Sequence, residues 1–132
     1  PLESKKFFEL LKEIYRICEN KAMIYIECPH PFHRWQVVDF THQKAIHIEG
    51  LQMLDKEYCL KLIEAKSTKS PLGIMYDIDF KIEQYSYTID QQCRKHIENV
   101  LGHFDEKKIE SYSYLFNNVA ATQKITLKAI KN

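Results

Sequence analysis

The chain has 132 residues, 45% of them hydrophobic and 28% charged, with only 3 Gly and 4 Pro. That is the balance of one globular domain rich in regular elements, and it excludes a disordered or low-complexity segment. Its 19 basic and 18 acidic residues leave a net charge of +1, so any nucleic-acid-binding surface has to be local rather than a broad basic face.

Residues 4–19 place Phe7, Leu10, Leu11, Ile14, Ile17 and Cys18 at helical spacing behind Ser4, a candidate N-cap, which predicts an amphipathic helix. Met23 to Cys28 reads as a strand. Pro29 and Pro31 interrupt it, and Trp35 to Thr41 reads as its return strand in a hairpin. Residues 45–54 fit a short helix that Gly50 weakens. Asp55 is placed to cap a second helix from Lys56 to Lys66, with Tyr58, Cys59, Leu62 and Ile63 as its apolar stripe. Residues 67–73, STKSPLG, are the clearest loop.

Ile74 to Ile82 alternates as a strand would. Thr88-Ile89-Asp90-Gln91 has the form of a capping box for the next helix. Its apolar face is Ile89, Cys93, Ile97, Val100, Leu101 and Phe104, and Gly102 lies near its end. Ile109 to Phe116 alternates strictly and predicts a strand. Asn117-Asn118 then serves as a hairpin turn. Val119 to Ile130 predicts the last strand, with Thr122, Lys124, Thr126 and Lys128 as its polar face. Segregated helices and antiparallel strands define an α+β fold, expected as a sheet of four to five strands with helices packed on one face.

No apolar run approaches the ~18 residues needed to span a bilayer, so no membrane partner is expected. Cys18, Cys28, Cys59 and Cys93 are far apart and form no CxxC pair. They read as reduced thiols of a cytoplasmic, intracellular protein. Residues 1–132 read as a single α+β domain, and a start at Pro1 fits a domain cut from a longer protein, a processed chain or an expressed fragment alike.

Polar chemistry concentrates in Trp35 to Leu54. His30, His33, His42 and His47 lie within 18 residues. Cys28, His30 and His33 offer three zinc-type donors, but their spacing is irregular and no second cluster completes a tetrahedron, so no metal and no cofactor are assigned. Histidine titrates near neutrality and is the natural acid–base residue. Cleavage of RNA through its 2′-hydroxyl needs a base, an acid and a cation for the transition-state charge, and no metal. His47 and His42 are the candidate acid–base pair, with Lys44 and Arg34 as candidate phosphate cations. Ser67, Thr68 and Lys69 supply hydroxyl and ammonium donors for substrate, and Gly50 is a further candidate substrate-binding position. Tyr112 and Tyr114 would share one strand face, either to stack bases or to pack under a helix. Asp77 and Asp79 read as a solvated pair.

The segment Phe40 to Leu54, FTHQKAIHIEGLQML, resembles a pattern in small phage-encoded and mobile-element proteins of Firmicutes. Those proteins carry a strand, a histidine before a leucine-any-glycine-leucine motif, and then a basic residue. They are assigned to the barnase, EndoU, colicin and RelE-like nuclease superfamily as predicted RNases. The element order is similar, and Ser67-Thr68-Lys69 falls where that family has a short Thr/Ser loop. His47, Gly50 and Leu51 carry over, with Thr68. Ile48 and Glu49 replace the paired leucines, and Gln52-Met53 replaces the basic residue that follows. The resemblance implies a metal-independent, toxin-like ribonuclease with RNA as partner. A reading of a different class is a non-enzymatic protein-interaction module of a larger assembly. That layout is comparable to RWD-like domains, with 119–130 as an edge strand that pairs with a partner.

Overall fold

The computed structural model describes residues 2–132, with side chains from residue 4 onward. The fold is α+β. Among the described residues there are seven α-helices and one three-stranded antiparallel sheet. In chain order the elements are α1 (Leu2–Ile17), β1 (Met23–Pro29), α2 (Trp35–Val38), α3 (Ile48–Gln52), α4 (Lys56–Glu64), α5 (Leu72–Met75), β2 (Phe80–Ile89), α6 (Gln91–Leu101), α7 (Ile109–Leu115) and β3 (Ala120–Ala129). A 3₁₀ turn, Glu106–Lys108, leads into α7.

The sheet has three strands, not four to five, because two of the five expected strands are helical. Ile109–Leu115 is α7. Its alternation is also compatible with a three-residue step, and Ile109 and Tyr112 are its buried pair. Asp105 caps the 3₁₀ turn by accepting from Lys107 N–H, and Asp105 N–H donates to the Tyr112 hydroxyl. Local hydrogen bonds of this kind compete successfully with a ladder. Trp35–Val38 is likewise a helical turn. Gln36 N–H donates to the His33 carbonyl, and Val37 N–H and Val38 N–H donate to that of Arg34. Alternation here reflects no buried face, since Val37, Val38 and Phe40 are all exposed.

The strand order is β1-β3-β2, so segment 119–130 forms the central strand and not an edge. Its backbone groups are committed on both sides, which removes it as a site for strand addition. The alternation itself is as read: residues 121, 123, 125, 127 and 129 are buried, and Thr122, Lys124, Thr126 and Lys128 are not. β2 starts later than expected, at Phe80, and runs to Ile89 through Thr88. The cap of α6 is therefore Asp90, which accepts from Cys93 N–H. Asp55 caps α4 as read, accepting from Glu57 and Tyr58 N–H. Ser4 lies within α1 rather than before it.

The chain divides into two compact units. One comprises the chain up to Ile26, Ile46–Tyr85 and Ile125–Asn132; the other comprises Glu27–Ala45 and Ser86–Lys124. In the first unit Leu11, Leu51, Leu54, Ile78, Phe80, Ile125 and Leu127 make the core, with Phe7, Phe8 and Ile14 packed against it. Tyr15 donates its hydroxyl proton to the Ile130 carbonyl at 2.6 Å. The second unit has a smaller core of Ile97, Ile109, Tyr112 and Val119, bordered by Ile89, Cys93 and Phe104.

Candidate functional sites

The residues singled out in the sequence fall into both units. His47, Gly50, Ser67, Thr68 and Lys69 belong to the first; Arg34, His42 and Lys44 belong to the second. In the first unit His47 is the N-cap of α3. Its Nδ1 accepts from Glu49 N–H at 3.2 Å. That bond requires a lone pair on Nδ1, so the neutral ring carries its proton on Nε2. The Ser67–Lys69 loop is shaped by Lys69 N–H donating to Ser67 Oγ. Its lysine turns toward the α3 segment, with Nζ 3.9 Å from a Glu49 carboxylate oxygen and 3.5 Å from the Tyr58 hydroxyl. The histidine segment and the Ser/Thr/Lys loop thus lie together around Glu49. At Gly50, in α3, a Cβ would meet nothing within 4 Å.

In the second unit His42 is turned onto its own segment. Its Nδ1 lies 3.0 Å from the Trp35 carbonyl and its Nε2 3.7 Å from Asp39. Hydrogen bonds from Thr41 to Asp39, with His42 nearby, hold the Asp39 carboxyl below its usual range. The histidine this unit buries is His33. Its Nδ1 accepts from Trp35 N–H at 3.1 Å, so Nε2 carries the proton and donates to Asp90 Oδ2 at 2.7 Å. Asp90 Oδ1 meanwhile accepts from Cys93 N–H. Burial pushes the Asp90 carboxyl up, but these donors outweigh it and hold it below the usual value. With both nitrogens committed, His33 is a structural latch between the β1–α2 loop and the start of α6.

That latch sets the residue after it. Arg34 N–H donates to Asn118 Oδ1 at 2.7 Å, and Asn118 N–H donates to the Phe32 carbonyl. Asn118 sits at φ 66°, a left-handed conformation asparagine tolerates better than most residues. The Arg34 side chain borders a polar cleft of about 170 Å³ whose walls include Gln92, His96, Asn117 and Asn118. His42 and Lys44 do not line it. An apolar groove of about 320 Å³ shares Cys93, His96, Asn117 and Asn118 with the cleft and adds Ile97, Val100, Leu115 and Phe116.

Cys93 is no activated nucleophile. Burial and then the nearby Asp90 charge push its thiol up, and its Sγ lies 3.7 Å from the Asn117 carbonyl. The thiol donor and its carbonyl acceptor thus form a neutral pair. Cys18, Cys28 and Cys59 are also free thiols. Among the described residues no three His, Cys, Asp or Glu side chains converge at metal-binding spacing. Asp77 pairs with Lys56, and Tyr112 and Tyr114 do not share a face: one is buried, the other 85% exposed. The sequence reading missed His96 and the asparagine pair. Gln92, His96 and Val100 recur at four-residue spacing on α6, and that stripe was the available signal.

Comparison with protein-family models, with curated proteins and with solved structures returned no match. Among the described residues no helix is long and apolar enough to cross a membrane.

Proposed function

We propose that this chain is a protein-interaction module that binds its partner through the second unit. The observation that carries this reading is the groove along α6 and α7. Its apolar rim residues Val100 and Leu115 are 77% and 78% exposed, and Ile97 and Phe116 line it between them. The same unit exposes Phe32, Trp35, Val37, Val38 and Phe40 in one short stretch. Large apolar side chains gathered outside a small core mark a surface built to be covered. Of this unit's histidines, His33 and His42 are tied to their own surroundings, and only His96 lines the groove. A photo-crosslinking residue placed at Val100 or Leu115 should give one discrete adduct in the native cell. The same probe at exposed Leu60 of α4 should give none, and Val100→Glu should remove the Leu115 adduct. Equal adducts from groove and control positions would defeat the reading.

A second reading is a metal-independent ribonuclease centred on the first unit. The approach of Lys69 to Glu49 favours it, since it sets the Ser67–Lys69 donors beside the segment that His47 caps. His47 Nε2 would exchange the proton, and Lys69 would neutralise the phosphate. Purified protein with mixed-sequence RNA in EDTA should then cleave, and His47→Ala should reduce cleavage by about 10²-fold or more. No cleavage, or cleavage unchanged in the variant, ends this reading.

A further inference from the structure

The polar cleft and the apolar groove of the second unit are two ends of one feature, because they share Cys93, His96, Asn117 and Asn118. At one end Arg34 contributes a guanidinium that makes no ion pair among the described residues and meets only Gln92 Oε1, at 3.4 Å. His96 and the amides of Asn117 and Asn118 line both and stand where the two ends meet. Asp90 is the one carboxylate lining the cleft; its two oxygens are engaged by His33 and by Cys93 N–H, which takes up its lone pairs and leaves its charge in the wall, so an anion has to sit at the Arg34 side. The donors left over therefore suit an oxyanion. At the other end the walls are Ile97, Val100, Leu115 and Phe116. A complementary ligand has an anionic head joined directly to a bulky apolar group.

We propose that the groove takes the C-terminus of a partner polypeptide ending in a large apolar residue, with the terminal carboxylate at Arg34 and the last side chain on Ile97, Val100, Leu115 and Phe116. This rests on the interaction-module reading and adds the partner's chemistry to it. The volumes fit the assignment. About 170 Å³ suits a charged group and little more, and about 320 Å³ is at the small end for a ligand pocket. A chain terminus provides both parts within one residue. Charge decides the polarity of binding: Arg34 offers planar, bidentate donors to a carboxylate, whereas a carboxamide terminus brings no charge to meet it.

The test is fluorescence anisotropy with an array of labelled heptapeptides that differ only in the last residue, each made as the free acid and as the amide. Free acids ending in Phe, Leu, Ile or Met should bind at least tenfold more tightly than their amides and than free acids ending in Asp or Gly. Arg34→Ala, at an exposed side chain, should erase the acid-over-amide preference and leave the preference for an apolar last residue. Val100→Glu, also exposed, should abolish both, and a urea midpoint near that of the wild type will show that each variant is folded. Equal binding of acids and amides, or an unchanged preference in Arg34→Ala, overturns the proposal. If no peptide binds while crosslinks still form at Val100 and Leu115, the C-terminal assignment falls and the module reading stands. Absence of both overturns both.

Discussion

Gly73→Ala is expected to destabilise the first unit by about 3 kcal/mol. A Cβ at this position would lie 2.6 Å from the Leu54 carbonyl oxygen and 3.0 Å from that of Ile78. Neither atom belongs to a flexible side chain. Leu54 C=O accepts from Phe80 N–H, Gly73 N–H donates to Met53 C=O, and Ile78 N–H donates to Gly73 C=O. Leu54 and Ile78 are also anchored in the core. The backbone therefore cannot retreat without breaking ladder-like bonds or opening that core. Gly50→Ala serves as the control, since nothing stands within 4 Å of its Cβ. Alanine in α3 should be neutral or stabilising by up to about 1 kcal/mol. Gly102 lies between these cases. Its φ of 78° closes α6 in the left-handed region, and alanine there should cost about 1 kcal/mol. Urea denaturation of the three variants should return the order Gly73, Gly102, Gly50. A Gly73→Ala midpoint equal to the wild type would show that the Met53–Leu54 and Gly73–Ile78 segments are not held together as described.

The elements legible in the sequence were those whose periodicity and end signals agreed. Asp55 before α4 and Gly102 after α6 supplied end signals beside a helical stripe, whereas α1 and β3 were legible from periodicity alone, since Ser4 lies inside α1 and a helix precedes β3. The failures share a physical cause. In Trp35–Val38 and Ile109–Leu115 the alternation was real, but nearby polar groups settled the backbone first: His33 and Asp39 in one case, Asp105 in the other. Strand-like spacing decides a conformation only when a neighbouring strand is there to bury one face. The placement of β3 at the centre of the sheet was not legible, because pairing order depends on contacts far apart in sequence. The candidate site shows the same division. His47 and the Ser67–Lys69 loop were singled out from residue type and spacing, and the structure sets Lys69 Nζ 3.9 Å from Glu49. Arg34 was singled out for its charge, as a phosphate cation beside His47, and it lies in the other unit from that histidine. Its companions His96, Asn117 and Asn118 come from a helix stripe and a turn that read as structural.

His33→Ala should be the most damaging change in the second unit, with an expected loss of about 3 kcal/mol. The ring is buried, fills space beside Trp35 at a centroid distance of 4.5 Å, and satisfies two separate backbone and side-chain groups. Its removal leaves Trp35 N–H without its acceptor and the largely buried Asp90 Oδ2 without its donor. A hydrogen bond to a charged group is worth more than a neutral one, and the unmet carboxylate bears the cost. Asp90→Asn tests the charge separately. Asparagine remains a good N-cap for Cys93 N–H and accepts from His33, so at neutral pH it should cost about 1 kcal/mol. Acid separates the two proteins further. The Asp90 carboxyl is held below its ordinary 3.8 in the folded protein, so its contribution is complete above that value and is lost as pH falls from there toward the folded value. The wild type should lose this increment between neutral pH and pH values below 3.8, and Asp90→Asn should not. Urea midpoints at neutral pH and below 3.8 give the comparison, and equal acid losses in the two proteins would mean that Asp90 is not held by the latch. The latch also bears on recognition, because His33 precedes Arg34 directly. When it is broken, Arg34 keeps its bond to Asn118 Oδ1, but the turn that carries it loses its tie to Asp90, and the preference for a free terminal carboxylate should weaken even in the His33→Ala molecules that remain folded.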